Sequence, residues 1–450
     1  TITEPDGSEA AYSGIGVSFG AGRVNCVLAY KGIQVVGMSA ARCLSKDFLV
    51  LTKCGYRSIS DVVAGDLVLD AHGEFVEVLN VINNGHRESL VGIEVDNLPF
   101  IHHKMTGDHR VFVKRHGKWD WTTASDVSEG DIIGEPVVRH TSLKRSYYYG
   151  FDKVSKKGLK GNRSRNLGRI FGLFLGDGST NLYKNGQGYD SGYTQWAFNS
   201  NDDDMINEYN EIISSYFDRD VRLANDGNMV RMKLHMNSVA KHFKEKFYNE
   251  KGVKVCPLSL CEIPDQMAIG IIQGLIDSDG NSNSRNGFDF NNTSLDVAIL
   301  FHQILNRFGI SHSFMKREPR LGGINSEGVQ IVGKKVCYKI RISGFSSDML
   351  RLLFDFKTGA PPIQTHDITE YRVKNTSEVE YNDDVYDLSI NSSHHSFSGV
   401  GCIVHNCGDW IDKHVADATG RPVSQVTTAK ETKLDFDNID YDDDILFALD

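Results

Sequence analysis

Apolar residues along this chain keep two different rhythms. From Phe48 to Val81 they fall in short runs, F-L-V-L-T, L-V-L-D and F-V-E-V-L-N-V, separated by glycine or aspartate turns, and the same texture continues from Val111 to Ile133. Short β-rich runs between turn residues predict strands. Between Leu167 and about Phe356 apolar residues recur instead at helical spacing in Ile170–Leu175, Ile269–Ile276 and Val297–Phe308, with polar and β-like stretches between, which predicts a mixed α/β region. After Glu378 the β rhythm returns in V-Y-D-L-S-I and S-G-V-G-C-I-V-H-N-C. The α/β region therefore reads as an insertion in a β domain that the distant segment completes. Upstream, Gly14 to Met38 predicts a pair of hairpins turning at Phe19–Gly22 and at Lys31–Gly32. Downstream, Asp409–Thr419 has helical character, and the aspartates from Asp435 to Asp444 mark a solvated acidic tail.

The 450 residues leave room for two or three domains. No apolar stretch approaches the ~20 residues that cross a bilayer, and Thr1 to Ala10 lacks the basic start and apolar run of a signal peptide. The expectation is a cytoplasmic protein with no membrane partner. Eight cysteines are scattered without zinc or redox spacing, which argues against a disulfide scaffold. The net charge of −10 is uneven. Between Arg139 and Arg169 ten basic residues, including Lys144, Arg145, Lys156, Lys157, Lys160, Arg163 and Arg165, face the one acid Asp152. Such a run suits a polyanion or a solvated linker.

His405-Asn406-Cys407 sets a cyclisable amide between an imidazole and a thiol. An asparagine side-chain nitrogen can attack its own carbonyl and release the chain beyond it, given a histidine to move protons. A second thiol, Cys43, stands before the first strand of the β region, where it could take the Arg42 carbonyl by an N-to-S acyl shift. Thr106-Gly107-Asp108-His109 offers a hydroxyl and an imidazole to assist.

Together these residues resemble the intein family: Cys43 first, T-G-D-H at 106–109, V-Y-D-L at 385–388, then H-S-F and G-C-I-V-H-N before Cys407. The resemblance implies an all-β, horseshoe-shaped (Hint) splicing domain. It implies that Cys43 forms a thioester activated by His109 and Thr106, that Cys407 takes the acyl group, and that Asn406 cyclises with help from His405 and His395. Asp387 matches an acidic position that coordinates the first two steps. No cofactor is implied for splicing. The protein would be its own substrate, its flanking extein segments the partners.

Within the insertion, I-F-G-L-F-L-G-D-G at 170–178 and I-Q-G-L-I-D-S-D-G at 272–280 resemble the paired motif of LAGLIDADG homing endonucleases. Gly172 and Gly176, and Gly274 and Ser278, are small residues four apart, as two tightly crossing helices require. The resemblance implies a pseudo-twofold α/β domain in which Asp177 and Asp279 bind Mg²⁺ and cleave both strands of a double-stranded DNA target, the intein-less host gene. Asp277 competes in the second motif, but its counterpart in the first is Leu175. The family's K-x-I-P lysine is replaced here by Cys261 in C-E-I-P, which leaves Lys254 or another base to compensate.

The expected organisation is an extein segment at 1–42, splicing domain at 43–138, a basic linker and endonuclease at 139–374, splicing domain at 375–406, and an extein segment at 407–450. Joined, the flanks resemble a phosphate-binding loop of actin-like and heat-shock-type ATPases, with a β-hairpin followed by a helix. Too little of that host is present for ATP hydrolysis. The competing readings are a cleavage-only, Hedgehog-like autoprocessing domain, a free-standing endonuclease, and an ATPase-host fragment with an inactive insertion.

Overall fold

The computed structural model describes residues 42–53, 55–139, 162–255, 260–282, 286–319, 335–355, 367–392 and 394–406, together with the backbone of a few further strands. Two of those strands, Val27–Tyr30 and Ile33–Val36, pair antiparallel as the hairpin expected around Lys31–Gly32. The turn at Phe19–Gly22, Cys407, the Asp409–Thr419 segment and the acidic tail lie outside the described residues, as do Cys54, Lys144, Arg145, Lys156, Lys157, Lys160 and the side chain of Arg163.

A twelve-stranded antiparallel sheet holds strands from both ends of the described chain. Its spine is β2 (Phe75–Val95) paired along most of its length with β6 (Ile368–Ile390). The two are nearly 300 residues apart in sequence, so the β region is one sheet interrupted by an insertion. The returning strand begins at Ile368, ahead of the boundary expected at 375, because β5 (Ile132–Pro136) pairs with Ile368–Arg372 and draws the chain into the sheet early. Short β1 (Leu44–Ser45) lies between β6 and β3 (His103–Met105). The last strand, β7 (Cys402–His405), returns to pair with β4 (Arg110–Arg115) through Val111 and Val404, so the two ends of the strand order meet.

The insertion is built twice from one plan. Helix α1 (Asn162–Asp177) leads into a four-stranded sheet with α2 (Asp203–Phe217) and α3 (Asn237–Lys246); α4 (Asp265–Asp279) leads into a second with α5 (Leu295–Arg307) and α6 (Phe345–Asp355). In each sheet the strands, numbered along the chain, lie in the order first, second, fourth, third. The three expected helical stretches fall in α1, α4 and α5, while α2, α3 and α6 occupy segments whose pattern reads as polar or β-like.

Helices α1 and α4 cross on glycine. A Cβ on Gly172 would collide with the Ile271 carbonyl, one on Gly274 with the Arg169 carbonyl, and one on Gly176 with the Ser278 side chain. The same contact extends a turn further, through Gly168 against Met267 and Gly270 against Arg165. Without side chains between them the backbones approach closely enough to bring the two helix ends together. No helix among the described residues is long and apolar enough to cross a membrane.

Candidate functional site

Two sites emerge, one in the sheet and one at the foot of the helix pair. In the sheet, β1 and β3 pair through Leu44 and Met105, which sets Cys43 against Thr106. The Cys43 N–H donates to Thr106 Oγ1 at 3.0 Å, and the Thr106 N–H donates to the Cys43 carbonyl at 2.9 Å. Thr106 thus grips the nitrogen of the Arg42–Cys43 peptide from the far side of a strand pair.

The Cys43 sulfur is fully buried and accepts from Asn84 Nδ2 at 3.0 Å. Burial pushes its thiol well above the ordinary range, the negative charge of Asp387 adds to this, and Asn84 works against it. The thiol is therefore protonated at rest and needs a base during any attack. Asp387, itself buried, stands on β6 opposite Ile82 of β2, two positions before Asn84.

His109 is buried where the turn after Thr106 enters β4. Burial lowers its pKa to about 3, so the ring is neutral at physiological pH, while the Arg42 backbone lies near enough to oppose that shift. Neither ring nitrogen meets the full geometry of a hydrogen bond. The imidazole lies by the Arg42–Cys43 peptide without being committed to it.

The His405–Asn406 end of the segment arrives on β7. His405 Nδ1 lies 2.5 Å from the Asn406 carbonyl oxygen, which can only accept, so the ring carries its proton on Nδ1 and donates. Burial lowers the His405 pKa, favouring the neutral ring. Its face stacks on His395 at 6.0 Å between centroids, and the Trp121 ring meets it edge-on at 5.1 Å. The Asn406 N–H donates to the His395 carbonyl at 2.9 Å; His395 holds a left-handed backbone with φ of 50°. Asn406 is itself buried. Because β4 and β7 are neighbours, His109 and His405 are within electrostatic reach of each other, and both feel Arg42. The two ends of the 43–406 segment are therefore in one place.

At the second site Asp177 and Asp279 end α1 and α4 at equivalent positions. Burial raises the pKa of both, and with the charge of Asp177 added to burial that of Asp279 reaches about 6. Asn292 Nδ2 donates to Asp279 Oδ2 at 2.7 Å. Two partly desolvated carboxyls that repel each other form a hard-oxygen donor set whose repulsion a divalent cation would relieve, so they fit Mg²⁺. Asp277 does not join them: Tyr209 and Arg169 donate to it at 2.7 and 3.1 Å. Lys254 does. Its ammonium donates to the carbonyls of Phe174 and Gly176 at 2.9 and 2.5 Å, capping the negative end of α1 between the two aspartates. Burial lowers its pKa to about 8.

The basic stretch is placed less simply. Arg165, expected to contact phosphate, is buried on α1 and donates to Gln273 Oε1 and the Phe354 carbonyl, because the helix crossing turns that face inward. Arg139 stays partly exposed and pairs with Asp367. Cys261, at the family's lysine position, is buried. Asn84 escaped the sequence reading because Asn83-Asn84-Gly85 looks like an ordinary turn; only the pairing of β2 with β6 carries it to the sulfur.

The family model described as the intein splicing domain matches residues 54–406, and the chain belongs to that family. The ATP-dependent DNA helicase Hel308 of Thermococcus kodakarensis is 23% identical over 432 residues, covering 83% of this chain and 37% of the helicase. The uncharacterized protein MJ0043 of Methanocaldococcus jannaschii is 22% identical over 282 residues, 52% of this chain and 34% of that protein. The chain thus spans about a third of the length of these curated relatives. Similar solved structures include the homing endonuclease I-DmoI with its target DNA and Mg (11% identity, TM-score 0.30, 44% of this chain and 99% of that one). The gp41-1 intein matches at 22% identity and TM-score 0.18, over 21% of this chain and 69% of that one.

Proposed function

We propose that the chain is a self-splicing precursor in which residues 43–406 excise themselves and join Arg42 to Cys407. The observation that carries this reading is the convergence of both junctions, with Cys43 held by Thr106 beside His109 and the Asn406 carbonyl held by His405.

Asp387 takes the proton of the Cys43 thiol as the sulfur attacks the Arg42 carbonyl carbon, and Asn84 stabilises the charge that develops on sulfur. The C–N bond breaks and the proton taken from the thiol is relayed to the departing Cys43 nitrogen, the neutral His109 ring accepting a proton on one nitrogen as it donates from the other, and a thioester forms. The Cys407 thiol displaces Cys43 from that thioester. The Asn406 side-chain nitrogen then attacks its own carbonyl carbon, whose oxygen is polarised by His405 Nδ1–H with His395 stacked behind. The peptide bond to Cys407 breaks, a succinimide forms, and an S-to-N shift leaves an amide between Arg42 and Cys407. The His405–Asn406 bond favours full splicing over the cleavage-only reading, which needs no such contact.

The inserted region we read as a double-strand DNA endonuclease. Asp177 and Asp279 would hold Mg²⁺, which when bound activates water toward phosphodiesters. Lys254 takes the place of the family lysine that Cys261 replaces. Arg139, Lys144, Arg145, Lys156, Lys157, Lys160 and Arg163 are the proposed phosphate contacts, with Arg165 removed from that set by its burial. The flanks 1–42 and 407–450 are read as pieces of an actin-like ATPase host.

In an Asn406→Ala chain, dithiothreitol should release residues 1–42 by attacking the thioester, and adding His109→Ala should slow that release at least about a hundredfold. Asp279→Ala should leave it unchanged. Release that is insensitive to His109, or absent altogether, would refute the assignment of the first junction.

A further inference from the structure

A buried polar network ties the inserted domain to the strand that carries the second junction. Its centre is Glu135 on β5, 3% exposed. Glu135 Oε2 accepts from the Gly401 N–H at 2.6 Å, in the turn that delivers β7 and Asn406. Gly401 has φ of 76°, and its N–H points at the carboxylate rather than at a strand partner. The other oxygen, Oε1, faces α5 of the insertion, where Asn306 Nδ2 donates at 2.5 Å and His302 Nε2 lies at 3.2 Å.

Donor and acceptor roles along this network are set from its far end. His312 Nδ1 meets the Ile310 carbonyl at 2.8 Å and must donate to it. A neutral His312 then offers a lone pair on Nε2, which accepts from His302 Nδ1 at 2.7 Å. His302 Nε2 lies beside the Glu135 carboxyl, within 3.2 Å of Asn306 Nδ2 and 3.4 Å of the Tyr371 hydroxyl. The insertion thus supplies the amide donor to Glu135 Oε1, and among the described residues of the splicing sheet Tyr56 and Tyr371 contribute only hydroxyls to the network.

We infer that Glu135 is a positioning residue for the second junction and that α5 of the inserted domain holds it in place through Asn306, with His302 packed beside that amide. The insertion is thereby a structural part of the splicing site. Truncating its side of the network leaves a buried carboxylate oxygen without its amide donor, and the Gly401 turn loses its anchor. This inference rests on the splicing reading only for its catalytic consequence; the coupling itself is testable without splicing.

Three measurements on the full chain test it, comparing Asn306→Leu and Glu135→Leu with the conservative Glu135→Gln, which keeps an acceptor for Gly401. In a Cys43→Ala, Asn406→Ala background, where no junction can react, hydrogen exchange of the peptide covering 396–405 should speed up about tenfold in both leucine variants and stay near the parent in Glu135→Gln. In a Cys43→Ala background, release of residues 407–450 should slow about tenfold in the leucine variants. Thiol-induced release of residues 1–42 in an Asn406→Ala background should change less than about twofold. Unchanged exchange of the 396–405 peptide, or equal loss at both junctions, would overturn the proposal. Faster exchange in a family of chains whose parent releases neither end would uphold the coupling and instead refute the splicing reading.

Discussion

Burial governs the chemistry of single residues here. With its pKa lowered to about 3, His109 stays neutral through the range in which an ordinary histidine titrates near 6.5. Thiol-induced release at the first junction should therefore show no His109-dependent inflection between pH 6 and 7; an inflection there that vanishes in His109→Ala would contradict this environment. Asp279 carries the opposite consequence. Its folded-state pKa of about 6 lies above the ordinary 3.8, so in metal-free chain the folded state holds the proton more tightly and stability falls as pH rises from about 4 to 6. Asp279→Asn should thus stabilise metal-free protein at pH 7 by roughly 1 to 3 kcal/mol, measured by denaturant titration. Added Mg²⁺ should raise the melting temperature of the parent and not of the variant. Most of these residues were legible because their order in the chain is itself a signal. Asn84 and Glu135 were not, since Asn84 acts across a strand pairing and Glu135 through buried contacts with α5 and the Gly401 turn, none of which a local pattern reveals.

Glycine contacts decide the geometry of the elements. Gly172 meets the Ile271 carbonyl directly, so Gly172→Val must push α1 and α4 apart. The expected cost is about 3 kcal/mol, and because the helix ends separate, DNA cleavage should be lost while thiol release of residues 1–42 persists. Retention of DNA cleavage at full rate would show that the helix pair does not place the aspartates. The motif helices could be read from sequence because small residues recur four apart among apolar ones. Helices α2 and α6 could not. Their apolar residues, such as Ile206, Tyr209, Ile213 and Phe217 in α2, are spaced among acids, amides and serines that suggest turns, and the tertiary contact decides the outcome. The inward turn of Arg165 was hidden for a related reason: a basic run says nothing about which of its members begin a buried helix.

At the scale of the whole molecule, one sheet is assembled from segments separated by the entire insertion, and its last strand returns to its early ones. That closure is what gathers Arg42, Cys43, His405 and Asn406. The return of the β rhythm after Glu378 made the interruption readable, yet the continuous buried core and the Glu135 network joining insertion to sheet were not, because they depend on which faces meet. The most direct test of the central claim is the intact mass of freshly expressed chain beside Cys43→Ala and Asn406→Ala variants. The account predicts a free 43–406 fragment and a ligated product of 1–42 with 407–450, both absent in the two variants. A stable chain of 50.1 kDa, or end fragments that never ligate, would contradict it.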